Sequence, residues 1–178
     1  MAEIISLTKF DAARRQLRTA IELWFNDGDP VSIYALVYAA HEIIHRLYRL
    51  KGLSDLLYDT SVFPKNIRAI ANKAIKDVPN WIKHAEHEEE MDEIKTFNPW
   101  ICDLLLMVCV VGIVRMDYEL TEFESAITLW HFFHDRDWFP PEMTINSIPS
   151  DRLEKMRHLS RNAFLPAFLE AWEQGLIR

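Results

Sequence analysis

Residues 41–45, HEIIH, fit the pattern H-E-x-x-H. On a helix, positions four apart face one way, so His41 and His45 can present two imidazoles to one zinc ion, with Glu42 as general base toward a metal-bound water. At the His and Glu frequencies of this chain, chance yields roughly 0.02 such matches, so the motif carries moderate information. Two amphipathic rings at the edge of a helical core produce the same letters with no metal.

A third ligand decides between these readings. A metzincin continues H-x-x-G-x-x-H, but Tyr48 and Lys51 stand at the Gly and His positions, which excludes that subclass. Arg46, directly after the second His, is charged where zincins carry an uncharged residue. Glu88, Glu89 and Glu90 offer downstream carboxylates, within an acidic run of the kind that usually stays solvated. "GLSDLLYD" matches G-T-x-D-x-x-Y-G only at Gly52, Asp55 and Tyr58. Zinc peptidases hold substrate along a strand, and no strand is expected here.

Other constellations are broader. His41/His45, His84/His87 and His131/His134 are three pairs at helical spacing, with Glu88 and Asp135 beside two of them. Helical bundles build metal sites from such pairs, although neither the di-iron nor the hemerythrin order of ligands is kept. Arg152 and His158 fit R-x(4–6)-H, the short signature of HEPN ribonucleases, a pattern that chance alone supplies about once in a chain with this much Arg and His. Asp103 lies early in the most apolar segment, where a helix N-terminus favours a carboxylate. There is no G-x-S-x-G and no Gly-rich phosphate loop, and Cys102 and Cys109 read as core residues.

The elements that must position these residues are helical. Hydrophobic residues make up 49% of 178 and there are only four glycines, which argues against both disorder and a turn-rich β protein. Apolar spacing at Phe10, Ala13, Leu17, Ala20, Ile21 and Trp24 predicts a first helix from about Thr8 to Phe25. In "NDGDP", Gly28 suits the left-handed residue that ends this helix, Asp29 caps the next and Pro30 fits its first turn. The second helix, about Val31–Leu50, carries HEIIH on a shoulder of the stripe Ile33, Val37, Ala40, Ile44 and Leu47, with Glu42 and Arg46 outward.

A third helix is expected from Pro64 to near Val78, then a short helix grading into an acidic loop at 86–93. Asn98 and Pro99 open the apolar helix to about Met116, whose run "LLLMVCVVGIV" is too short to span a bilayer and reads as a central buried helix. "TEFE" at 121–124 is a capping box, and a last helix is expected from Asp151, kinked at Pro166. The fold expectation is all-α, one domain over 1–178, a bundle of six or seven helices.

Charge is uneven. Residues 1–83 hold 12 Lys/Arg against 9 Asp/Glu, and residues 84–178 hold 8 against 18, for a net −7. That balance argues against nucleic acid, whose affinity rests on clustered cations. The N-terminus lacks a signal-peptide layout, and two cysteines two turns apart on one helix cannot bridge, so the expected location is the cytoplasm, without membrane.

Two stretches, "LWFNDGDPVSIYALVYAAHEIIHRL" and "NWIKHAEHEEEMDEIKTFNP", together resemble a group of small bacterial helical proteins with no assigned activity. The resemblance covers about residues 8–135. It implies a bacterial, cytoplasmic helical protein, and it draws attention to Asn80, Lys83 and His84 of "NWIKHA" as ligand-binding candidates. The N-terminal hairpin also loosely resembles the HEPN type, without its catalytic signature. The resulting expectation is a non-catalytic module that binds a protein or small-molecule ligand, forms a homodimer and needs no cofactor. The six Trp suggest an interface beyond the core. The alternative is a zinc hydrolase with His41 and His45 as ligands and Glu42 as base; a second is a HEPN-type ribonuclease.

Overall fold

A computed structural model describes residues 4–53, 81–82, 94, 96–139, 143 and 150–177. The first element, α1 (Lys9–Phe25), starts at a capping box: Thr8 Oγ1 accepts the Asp11 N–H while the Asp11 carboxylate accepts the Thr8 N–H. Its buried stripe is Ala13, Leu17, Ala20, Ile21 and Trp24, as the spacing requires, widened by Phe25, while Phe10 at its start is only half-buried. The turn that follows differs from expectation. Asp27, not Gly28, takes the left-handed conformation, at φ 53°. Gly28 is needed for space: its N–H bonds Leu23 O at 2.8 Å, and a Cβ there would lie 3.0 Å from that same oxygen. Asp29 then caps α2 (Pro30–Leu50), accepting from the Ser32 N–H at 2.8 Å, with Pro30 in the first turn.

The apolar run forms α3 (Trp100–Arg115), which starts one residue later than expected. Pro99, not Asn98, is its N-cap, and Asn98 Oδ1 accepts the Trp100 N–H from one position further out. Leu104 to Val110 are buried without interruption, as expected of a helix that is apolar all round. The capping box at Thr121 and Glu124 opens α4 (Glu122–His134), and a single 3-10 turn follows at Arg136–Trp138.

The single last helix predicted from Asp151 is instead two: α5 (Ser150–Arg157) and α6 (Arg161–Glu173). The break falls at His158–Ser160 because Ser160 is extended (ψ 159°) and its carbonyl starts the new helix by accepting the Phe164 N–H. Pro166, where a kink was predicted, stands inside α6. A proline there costs about 3 kcal/mol through its missing donor. Burial of Phe164, Leu165, Phe168 and Ala171 on either side offsets it.

α1 and α2 pack along their lengths as a hairpin, α3 lies against α2, and α4 bridges α1, α3 and α6. The aromatic centre joins these parts: Phe164 of α6 stacks on Phe25 of α1 (5.7 Å) and meets the edge of Trp130 of α4 (5.2 Å). Six α-helices and no strand occur among the described residues, so the all-α, single-domain expectation holds. No helix among them is long and apolar enough to cross a membrane. The expected helix at 64–78 and the acidic loop at 86–93 lie outside the described residues.

Candidate functional site

HEIIH sits in the last three turns of α2. The buried face of that helix is wider than the predicted stripe, since Tyr34, Tyr38, His41 and Tyr48 join Ile33, Val37, Ala40 and Ile44. His41 is therefore a fully buried side chain rather than one on the shoulder, and Leu47 is only half-buried. His45, one turn on, is also half-buried, and the two ring centroids lie 5.8 Å apart at 35°. That separation is close to what two imidazoles sharing one ion need. Glu42 points outward and is exposed.

Beside these histidines runs a groove of about 1160 Å³. Its lining places Lys9, Arg46 and Arg49 around His41, His45, Ile43, Leu47 and Leu50, with Glu42 as the lining carboxylate. All of these belong to the half of the chain with surplus positive charge. The local field therefore opposes the net charge of the whole protein.

Burial pushes the His41 imidazole down to about 3, with the neighbouring His45 adding to the effect, so His41 is neutral at ordinary pH. The folded value lies below the ordinary 6.5, so between the two the unfolded chain binds the extra proton. Stability from a neutral His41 is complete above about pH 6.5 and is lost as pH falls toward 3. The expected result is that His41→Leu loses less stability than wild type between pH 7 and pH 4.5, by about 2–3 kcal/mol. Urea midpoints at the two pH values measure this, and equal losses in both proteins would count against a buried neutral imidazole.

A second cluster forms where α3 meets the end of α4. His131 is buried, and its Nδ1 lies 2.7 Å from Asp135 Oδ2, while its Nε2 faces Asp103 Oδ1 at 3.9 Å. Trp138 stacks on the imidazole at 4.9 Å and 13°, and Trp24 leans on it at 5.4 Å. Asp103 does sit in the first turns of α3, as read from sequence, with the Trp24 indole beside its carboxyl. Burial raises its carboxyl above the ordinary carboxylate range, against the lowering effects of His131, Trp24 and Arg161. His134 diverges from its partner in the pair and lies against Trp130 at 4.1 Å.

Comparison of the chain with models of protein families, with curated proteins and with solved structures finds no match. What the site does must therefore be argued from its own side chains.

The remaining candidates divide clearly. Asn80, Lys83 and His84 lie outside the described residues, as do His87, Glu88, Glu89 and Glu90. No group of three His, Cys, Asp or Glu converges as a metal cage among the described residues. Arg152 and His158 take different surroundings: Arg152 lines a shallow groove between α5 and α6, while His158 lies past the end of α5, exposed, 2.9 Å from Glu154. Cys102 and Cys109 are buried free thiols that point at the carbonyls of Pro30 and Val37. Burial raises both, Cys102 to about 12, which removes the thiolate that a nucleophile needs. The grouping of Asp103 with His131 and Asp135 was not assembled from sequence. Its legible signals were a carboxylate in an apolar helix and, separately, Asp135 beside the His131/His134 pair.

Proposed function

We propose that this chain is a ligand-binding helical module without catalysis, and that the groove beside α2 takes a small anionic ligand with an apolar body. The supporting observation is the lining itself: three cations, Lys9, Arg46 and Arg49, border a half-buried apolar wall of Ile43 and Leu47. Guanidinium groups suit carboxylate and phosphate geometry, and an apolar wall adds burial of the rest of the molecule. A homodimer formed in a bacterial cytoplasm remains part of this reading, with exposed Trp100 and Val114 as surface apolar groups.

The test is a fluorescence titration with anilinonaphthalene sulfonate, an anionic aromatic probe. Saturable binding is expected, weakened at least tenfold (about 1.4 kcal/mol or more) in Arg46→Glu/Arg49→Glu, and unchanged in His158→Ala. Equal affinity in the charge-reversed protein would remove the groove from consideration.

The zinc-hydrolase reading is favoured by one observation, the 5.8 Å approach of the His41 and His45 rings in that same groove. In it the two imidazoles hold the ion, and Glu42 is the base for the water that zinc makes acidic. Elemental analysis of untagged protein separates the two readings. Stoichiometric zinc lost in His41→Ala/His45→Ala supports the hydrolase, as does an activity lost in Glu42→Gln without loss of fold. Metal-free protein grown with ample zinc supports the binding module.

A further inference from the structure

His131 is 2% exposed, and its Nε2 has no hydrogen-bond partner. The short contact from Nδ1 to Asp135 explains how the ring is set. A carboxylate accepts, so Nδ1 carries a proton, and in the neutral ring the Nε2 lone pair then points away. It points at Asp103 Oδ1, 3.9 Å off. In that form a lone pair and a carboxylate oxygen face each other without bonding, so the gap between them suits a shared cation. The indoles of Trp24 and Trp138 fix the ring from two directions.

The surrounding charge has the matching sign. Asp103 and Asp135 flank the ring, and Arg161, which acts on Asp103, already pairs with Asp27 and lies over Trp24. The side chains of Asp103 and Asp135 are 22% and 40% exposed, so an ion can reach the gap from solvent.

The geometry points to a divalent transition-metal site in which His131 Nε2 and Asp103 Oδ1 are the protein ligands, and Asp135 is the carboxylate behind the imidazole. Zinc-type bonds to nitrogen and oxygen run about 2.0–2.2 Å, so two donors of one ion lie at most roughly 4.3 Å apart, and about 3.4 Å apart at a tetrahedral angle. The observed 3.9 Å lies inside that range and needs only a small side-chain adjustment. A carboxylate on the far nitrogen is the usual support of a metal-bound histidine, holding its tautomer and raising its basicity. One imidazole and one carboxylate favour zinc, cobalt or nickel over magnesium or calcium. With two protein ligands among the described residues, solvent completes the shell, and the ion is exchangeable. The site is separate from the α2 groove and stands independently of the reading given to that groove.

Titration of the full-length protein with cobalt chloride tests it, read by tryptophan fluorescence. Open-shell Co²⁺ bound at His131 quenches Trp24 and Trp138. The expected result is a saturable quench at one ion per chain, weakened at least tenfold in Asp103→Asn, lost in His131→Gln and retained in His41→Ala/His45→Ala. Circular dichroism checks the packed His131 variant. The partly exposed Asp103→Asn carries the test independently, since it keeps the side chain's size and removes its charge. A wild-type protein without saturable quench overturns the proposal. So does a quench unchanged in Asp103→Asn, or one abolished in the α2 double variant.

Discussion

Phe164→Ala is expected to cost about 3–5 kcal/mol of folding stability, lowering the melting temperature by roughly 10 °C. Phe164 is fully buried and touches four aromatic rings: Phe25 of α1, Trp130 and Phe133 of α4, and Phe168 one turn along α6. Removing the ring leaves a cavity that these large, mutually wedged neighbours cannot collapse into, so the cavity contribution adds to the lost transfer energy. Against the 5–15 kcal/mol typical of a whole domain, the change is a large fraction of what holds the protein folded. It also cuts the main aromatic link between the C-terminal helix and the rest of the bundle. Phe164→Leu, which keeps most of the volume, should cost about 1–1.5 kcal/mol. Urea denaturation followed by circular dichroism gives both values. A cost below about 1 kcal/mol for the alanine variant would mean that α6 docks loosely and that this aromatic centre is not the joint described here.

Arg14→Ala is expected to cost about 2–4 kcal/mol, and most of that should return in Arg14→Ala/Glu124→Gln. The Glu124 carboxylate is buried and accepts from the Arg14 guanidinium at 3.0 Å and from the Thr121 N–H at 2.8 Å. Arg14 also donates to the Glu119 carbonyl, tying α1 to the loop before α4. Loss of the cation leaves a buried charge with one backbone donor, whereas a glutamine there carries no charge to strand.

The pH dependence has a definite sign. Burial raises the Glu124 carboxyl above its ordinary value of 4.5 even with Arg14 present, against the lowering effects of Thr121 and Arg14. Without Arg14 it rises further. A carboxyl whose folded value is raised binds its proton more readily in the folded state, so stability falls as pH climbs from the unfolded value through the folded one. The penalty of Arg14→Ala should therefore be larger at pH 8 than at pH 5, and its cycle with Glu124→Gln should show a coupling of about 1–3 kcal/mol. Additive effects with no pH dependence would show that the ion pair is solvated and contributes little.

Both residues illustrate what was legible locally. "TEFE" announced the start of α4, because a capping box is made within four residues and needs no distant partner. That its glutamate would be buried and would pair with Arg14, 110 positions away, depended on how α1 lies against α4. The same contrast holds at "NDGDP". Asp29 and Pro30 took their expected places by local chemistry, while the left-handed conformation fell on Asp27, because Gly28 has to pass against Leu23. The last helix failed as a prediction for a related reason. Pro166 is the strongest local breaker in "RNAFLPAFLE", yet packing of Phe164 and Phe168 carried the helix through it, and Ser160 made the break instead.

By itself, then, the sequence determined the helical class, the first hairpin, the buried character of α3 and the pairing of His41 with His45 on one side of α2. All of these follow from the 3.6-residue period and from capping chemistry, which act over one or two turns. Only the tertiary structure decided how deep His41 lies, and that Lys9 of α1 joins Arg46 and Arg49 along one groove. It alone brought Asp103 of α3 to His131 of α4 beneath two tryptophans from still other segments. The physical reason is that periodicity specifies which face of a helix is apolar, whereas the partner each face meets depends on helix-against-helix packing summed over the whole core.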